Sequence, residues 1–350
     1  MAGFAKAWVL ASYADASAFM FAQAASIAQN MWHTTADGYI DRSSDLREIY
    51  GSTGTGVSTA NADFIEAAPP AAAPAVNNNG NGVWMRGIGQ YAESEGSQSF
   101  EAFPGQFVSF TTDYNETLWG IEGGVDHAFH MNNGSTLVLG LMGGYVTNSV
   151  EFSGLGDEAT IDGGMAGIYA TWVNGPGYID ALFKADFLTA DFSVGGAQAS
   201  TDILNLGGRI EGGYRFTNAS GYFIEPVASI AYVSSDLDDL NVLGTPVSIN
   251  SDDSLRGKIG GRVGTSMMVG NGKMDPYINA YVGGEFLGDN SAFISGLTLQ
   301  DDISGVFGEV GAGFNWYDAA NSWSVYGQAN YIFADDYWAA NGTLGVRYSW

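Results

Sequence analysis

The chain has 350 residues and a net charge of −26, with only 12 Lys and Arg, and it is rich in Gly (50), Phe (20), Tyr (18) and Trp (9). That balance excludes nucleic acid as a partner and acidic disorder, because the aromatics supply ample surface to bury. With no Cys, thiol catalysis, disulfides and cysteine-based metal sites are also excluded.

No run of about 18 apolar residues occurs, so no transmembrane helix is expected; a barrel needs none. At the N-terminal end, Met1 to Lys6 followed by an apolar stretch from Ala7 and the small-x-small triplet Ala22-Gln23-Ala24 fits an export signal. Asp15 interrupts that stretch, and a helix is the competing reading. Residues 1–50 show helical spacing in two stretches, 7–31 and 40–50, with a break at Asp37-Gly38. This segment is read as a helical pre-barrel unit. Residues 51–82 form a linker, stiff at Pro69, Pro70 and Pro74 and flexible from Asn77 to Gly82.

From Val83 onward, twelve strands are expected, centred in 83–92, 113–128, 136–150, 159–173, 178–193, 201–216, 221–234, 254–269, 276–287, 302–317, 322–333 and 337–350. Tight connections carry turn chemistry at Asn132–Ser135, Asn174–Gly177, Asn218–Gly221, Gly270–Gly272 and Asp318–Asn321. Between them lie mostly longer loops, including 93–112, 235–253 and 288–301. Short turns on one side and long loops on the other describe an even-stranded outer-membrane barrel.

Alternation within the strands assigns the faces. Leu204, Leu206, Ile210, Tyr214 and Phe216 oppose Asn205, Arg209, Glu211 and Arg215; Leu255, Ile259 and Val263 oppose Arg256, Lys258 and Arg262. With the polar faces inward, eight of the nine basic residues after position 82 enter the lumen: Arg86, Lys184, Arg209, Arg215, Arg256, Lys258, Arg262 and Arg347, with Lys273 left in a turn. The same registers put Glu122, Asp162, Asp180, Asp186, Glu211, Glu225, Glu285 and Glu309 inside, which is a balanced lumen. In the last strand Leu344, Val346, Tyr348 and Trp350 face lipid, while Thr343, Gly345, Arg347 and Ser349 form the other row. That strand must close against the first.

Catalytic and metal chemistry find little support. His33, His127 and His130 are the only histidines, the last two at a short turn, and no Gly-x-Ser-x-Gly pattern accompanies them. The acidic pairs Asp238-Asp239, Asp252-Asp253, Asp301-Asp302 and Asp335-Asp336 fall in outer loops without the spacing of a cation site, and are read as solvated. No enzyme activity, cofactor or metal is expected.

Three motifs carry a family resemblance. Val83-Trp-Met-Arg-Gly-Ile-Gly89 resembles the Trp-x-Arg-Gly-x-Gly opening of the first strand of autotransporter (type V secretion) translocator domains. Met31-Trp-His, with Asp41-Arg42 and Asp45-Leu46-Arg47, resembles the helical stretch before such barrels. Thr343, Gly345, Tyr348 and Trp350 resemble the terminal signal read by the outer-membrane barrel assembly machinery, a signal shared by most outer-membrane barrels.

The resemblance covers 83–350. It implies a twelve-stranded transmembrane barrel in a Gram-negative outer membrane, monomeric, in contact with lipid and lipopolysaccharide, with an N-terminal segment threaded through its lumen. That segment is 40–50, the stretch from Ala60 to Glu66, or neither, and the pre-barrel unit 1–50 is a passenger remnant or the pore helix. Some relatives cleave themselves at paired Asn or through lumenal acids, which points at Asn77-Asn78-Asn79 and at Glu122, Asp162 and Glu309. The Asn run reads better as a flexible turn-forming linker, and the acids as partners of the lumenal arginines. A passive outer-membrane barrel or small pore is the alternative function.

Overall fold

The computed structural model describes residues 16–40, 46, 49–50, 80–103, 105–153, 157–294, 297–318 and 322–350. Twelve antiparallel strands form the wall: β1 (Asn81–Ser94), β2 (Tyr114–His130), β3 (Thr136–Phe152), β4 (Asp157–Asn174), β5 (Gly177–Val194), β6 (Ala197–Tyr214), β7 (Tyr222–Leu237), β8 (Ser254–Thr265), β9 (Gly272–Glu285), β10 (Gly305–Tyr317), β11 (Trp323–Phe333) and β12 (Tyr337–Ser349). Each pairs with the next, and β12 returns to β1 in a continuous register from Gly82↔Ser349 to Ser94↔Tyr337. Backbone bonds from Asn81 N to the Trp350 carbonyl (3.2 Å) and from Trp350 N to the Asn81 carbonyl (3.1 Å) fasten the end of that seam. Closure leaves the wall without an exposed edge, which is the condition for spanning lipid with strands.

The expected spans and the expected closure are all observed, and the period of two explains them. Outward positions carry large apolar side chains that stay exposed, such as Trp119, Leu141, Ile168, Phe187, Ile210, Ile259, Ile278 and Leu344. Inward positions carry buried charge and amide, such as Arg86, Lys184, Asp186, Asn205, Glu225 and Arg347. A water-soluble barrel would reverse this arrangement.

Tight turns gather at the end that holds Asn81 and Trp350, as expected, but the opposite end also holds tight ones, at Gly195-Gly196 and at Ala334–Asp336. The opposite end is more structured than loop lengths suggest. Residues 93–112 contain a hairpin, Ser97–Phe103 with Gln106–Thr111. The other two long connections form hairpins Leu240–Val242/Thr245–Asn250 and Asp289–Ile294/Leu297–Asp302, which join through Val247↔Ile294 to Asn250↔Ser291 into one four-stranded outer sheet. Strands β2–β7 run 16 to 18 residues and the remaining six only 11 to 14, so the wall stands taller on one side.

Helix α1 (Met20–Ile40), preceded by a 3-10 turn at Ala16–Phe19, lies inside the barrel. Ala22, Ala24, Ala25, Ala28, Gln23, Gln29, Met20 and Met31 are strong helix formers and account for its persistence. The expected break at Asp37-Gly38 does not occur: the Asp37 carboxylate is engaged by the wall and does not compete for its own backbone. Ala22-Gln23-Ala24 is buried within the helix. Leu46, Ile49 and Tyr50 are also helical and pack on Ala128 and Val138 near the tight-turn end. Of the linker expected over 51–82, Asn81 and Gly82 already belong to β1, while 51–79, including Asn77–Asn79 and Ala60–Glu66, lie outside the described residues, as do Asp41, Arg42, Asp45 and Arg47.

Candidate functional site

The site is the lumen with its helix: among the described residues Met20–Ile40 fills it, and Leu46, Ile49 and Tyr50 of the expected stretch 40–50 pack on the lumenal Ala128 and Val138 at its tight-turn end. The first half of α1 is apolar. Phe19, Met20, Phe21, Ala24 and Ile27 are buried against Ile161, Leu188 and Phe192 of the wall and Val242, Val247, Ile249 and Leu299 of the outer sheet. Phe21 meets Phe192 edge-on at 5.0 Å between ring centroids. Each of the Phe, Met and Ile side chains, fully buried, contributes about 1.5–3 kcal/mol.

Two polar contacts clip this half to the outer connections. Gln23 Nε2 donates to the Thr112 carbonyl at 2.7 Å, and Ser26 Oγ donates to Asp301. Burial raises the Asp301 carboxyl above the usual range, against the lowering effect of the Ser26 hydroxyl, and the neighbouring Asp302 raises it further. Asp301 is therefore not a solvated loop carboxylate. A folded-state value above the unfolded one means that burying this carboxyl against α1 becomes more favourable as pH falls through the Asp301 titration and less favourable as pH rises, while the Ser26 bond itself favours the ionised form. Lowering pH from about 7 to about 4 is expected to raise the amide protection factors of Phe19–Ser26, each taken relative to the intrinsic exchange rate at that pH, and Asp301→Asn is expected to remove that pH dependence.

The second half of α1 is polar and bonded to the wall at nearly every turn. Arg256 donates to Asn30 Oδ1 at 2.9 Å, Thr34 to Gln90 at 3.1 Å, Lys184 to Thr35 Oγ1 at 2.6 Å and Arg86 to the Thr35 carbonyl at 2.6 Å. The Trp32 indole donates to the Lys184 carbonyl at 3.2 Å, and the Lys184 ammonium lies 5.2 Å from its ring centre. Arg86 also acts at the helix C-terminal end, where a cation complements the macrodipole.

Asp37 is the one ionised side chain of α1. It pairs with Arg209 and, at 2.8 Å, with Lys258. Those two cations also pair with Glu211 (2.9 Å) and Glu309 (2.9 Å) on the wall, so the helix carboxylate completes a five-membered charge cluster.

The eight basic residues expected in the lumen are all there, and Glu122, Asp180, Asp186, Glu211, Glu225, Glu285 and Glu309 join them. Glu122 pairs with Arg86, Arg215 with Glu225 (2.8 Å), and Arg256 with Glu285 (3.2 Å), as expected of charges in a narrow lumen.

Asp162 is the exception. It faces outward and accepts a bond from Tyr145 at 2.6 Å, while Ile161 takes the lumenal position. The rule of polar inward fails there because the lumen at that level is occupied by the greasy half of α1. Lys273 lies on β9, not in a turn, 3.5 Å from Asp275. Glu116, Asp126 and Asp275 are buried lumenal acids that the sequence reading left out, so the lumen is acidic rather than balanced.

The closing strand follows its expected faces. Leu344, Tyr348 and Trp350 are exposed outward, and Tyr348 stacks on Trp350 (5.6 Å) and meets Trp323 (4.8 Å). Thr343 lines the lumen beside Thr34 and Gly38. Gly345 is small because a Cβ there would lie 2.2 Å from the Tyr326 ring, which lies over it from β11.

Arg347 makes a bidentate pair with Asp126 of β2 (2.6 and 2.7 Å), reaching across β1. Tyr169 donates to the same carboxylate at 2.8 Å, and Trp84 donates to Tyr169 at 2.7 Å. Gly82 lies beneath this bridge, where a Cβ would fall 1.9 Å from the guanidinium. The Trp and Arg of the first-strand motif thus have separate tasks: Trp84 belongs to the seam and Arg86 to the helix.

A closed twelve-stranded wall, apolar outside and charged inside, with a helix bonded into its lumen, defines a translocator-type outer-membrane barrel. The autotransporter β-domain family matches residues 83–330, and the chain belongs to that family. It resides in the outer membrane of a Gram-negative cell.

The chain is similar to the pertactin autotransporter of Bordetella bronchiseptica, at 26% identity over 291 residues, 79% of this chain and 29% of that protein. It is 29% identical over 231 residues to Autotransporter CRAC of Citrobacter rodentium, 63% of this chain and 14% of that protein. It therefore spans less than a third of the length of these relatives.

Among solved structures, the transport unit of the autotransporter AIDA-I from Escherichia coli superposes with a TM-score of 0.64 at 18% identity, over 89% of this chain and 98% of that one. The translocator domain of NalP from Neisseria meningitidis gives 0.61 at 14% identity, over 78% and 90%. The β domain of the Bordetella autotransporter BrkA gives 0.58 at 22%, over 77% and 100%. These likenesses concern the fold.

Proposed function

We propose that this barrel passes an N-terminal passenger to the cell surface and then remains its anchor, with α1 as the last stretch of the translocated chain, held in the pore. The carrying observation is the direction of the helix. Its N-terminal half meets the outer sheet, and the chain after it approaches the end where β1 starts. In this reading the assembly machinery recognises the closing strand through Thr343, Gly345, Tyr348 and Trp350, the outward aromatics sit in the lipid interface, and lipopolysaccharide surrounds a monomer.

No catalytic turnover belongs to this reading. Ser254 Oγ donates to Glu285 at 2.7 Å and sits 2.8 Å from His33 Nε2, so the imidazole donates to the serine rather than serving as its base.

An epitope tag placed before Met1 tests the proposal on intact cells. Digestion by external protease supports outward passage. A tag reached only after permeabilisation favours a passive barrel. Replacing Tyr348 and Trp350 together with Ser is expected to reduce outer-membrane insertion several-fold with synthesis unchanged, read as the membrane fraction of heat-shifted protein; normal insertion would deny the closing strand its role as an assembly address.

A further inference from the structure

The outward faces of β3–β6 change chemistry at one level. Cross-strand pairing sorts their outward residues into rows of four. Five rows, from Leu137, Trp172, Ile179 and Gly212 up to Tyr145, Gly164, Phe187 and Leu204, are apolar, Gly or Ala, with polar atoms only in Trp172 and Tyr145 at the two limits. They take nine residues of each strand, a length that crosses hydrocarbon at a tilt. An aromatic with a polar tip at each limit suits the two lipid interfaces. The next row is Thr147, Asp162, Thr189 and Asp202, and the two beyond it, which include Glu151, Glu158 and Asp191, are polar at every position.

The inward faces change at the same level in the opposite sense. Below it they carry Lys184, Asp186, Asn205 and Arg209. Above it they carry Val146, Ile161, Leu188, Phe192 and Ile203, buried in one cluster with the apolar half of α1. Apolar inside and polar outside is the arrangement of a barrel in water, and the carboxylates of Asp162, Asp191 and Asp202 would be costly against hydrocarbon. The Tyr145 hydroxyl bonds across the boundary to Asp162 at 2.6 Å. On the short side of the wall the apolar outward face reaches the rim instead: Phe286, just after β9, and Val306, near the start of β10, are both exposed.

We propose that the lipid surface lies at the row of Tyr145 and Phe187, level with the rim of the short side, and that β3–β6 continue beyond it as a collar in water. The collar stands on the side away from Asn81 and Trp350 and encloses the apolar half of α1. The belt below it takes acyl chains; the collar meets water and the polar headgroup layer. Apolar burial holds a helix where the alternative is water, so this half of α1 is gripped outside the membrane. Thr35 and Asp37 are bonded to Lys184 and Arg209 within its thickness. This placement holds whichever way the chain before α1 leaves the pore.

Because the chain has no native Cys, Ala181→Cys, Ala185→Cys and Ser193→Cys on β5, and Ala166→Cys and Thr160→Cys on β4, can each carry one nitroxide label. The replaced side chains are small and face outward. The full chain is reconstituted in phosphatidylcholine bilayers, and each strand is read separately in protein that keeps its heat-shifted mobility. Oxygen concentrates in hydrocarbon and a nickel chelate in water, so the ratio of their collision rates with the nitroxide reads its depth. The expected ratio at positions 166, 181 and 185 is at least about five-fold that at positions 160 and 193. A ratio that stays high at 160 and 193 puts the whole wall in lipid and overturns the collar. A ratio already low at 166 and 185 sets the lipid surface lower and overturns the boundary.

Discussion

Asp126→Ala is expected to cost about 3–5 kcal/mol, the penalty for leaving one member of a buried ion pair without its partner. Arg347 is fully buried, its guanidinium holds both carboxylate oxygens, and its Nε is already engaged with Ser349 at 2.9 Å. Gly82 leaves no space for a side chain between the pair, so the bridge passes directly over the first strand. Removing the carboxylate also leaves Tyr169 without the acceptor of its hydroxyl. The loss falls at the seam, where β12 must find β1.

The expected readings are a lower urea midpoint in lipid bilayers and a lower temperature for loss of the heat-shifted band. Asp126→Ala combined with Arg347→Met is expected to recover most of the loss, because a pair replaced by apolar groups leaves no uncompensated charge. A double variant no more stable than the single one would mean that the pair holds the seam by geometry and not by charge compensation.

The second large effect concerns the helix. Asp37→Lys places a third cation beside Arg209 and Lys258, changing attraction to repulsion at a distance where one unit pair is worth about 4 kcal/mol at an effective dielectric constant near 20. Glu211 and Glu309 still neutralise the wall cations, so the wall itself should remain folded. The polar half of α1 is then expected to leave its place, and single-channel conductance in planar bilayers to rise several-fold, toward that of a chain lacking residues 1–50. Asp37→Asn, which removes the charge but keeps an acceptor, is expected to give an intermediate and fluctuating conductance. Unchanged conductance for Asp37→Lys would show that the apolar half, seated under the outer sheet, is enough to hold the helix.

Much of this molecule is legible in the strand periodicity. Alternation at Leu204–Phe216 or Leu255–Val263 has one workable solution when every face has either lipid or a polar lumen beside it. It placed all eight lumenal cations and the outward row of the last strand. Asp162 shows where that rule ends: its neighbour Ile161 is lumenal because part of the lumen is itself apolar, and that depends on the helix inside.

The same limit hid Asp126. Its partner Arg347 lies 221 residues away on a strand that is not its direct neighbour, and no local pattern records a contact across β1. Gly82 reads as the end of a flexible linker and Gly345 as the small member of a row; the guanidinium over one and the Tyr326 ring over the other are the reasons for them.

The sequence by itself determined the number of strands, the in and out faces of β6, β8 and β12, the side on which most tight turns gather and the closing role of Thr343–Trp350. All of these follow from a period of two and from turn residues, which are local. Only the tertiary structure decided which helix fills the lumen, which carboxylate holds each cation, and that two distant hairpins join into one outer sheet. Those choices depend on contacts between segments hundreds of residues apart, where the energy comes from burial and charge pairing in a shared interior and leaves no periodic trace along the chain.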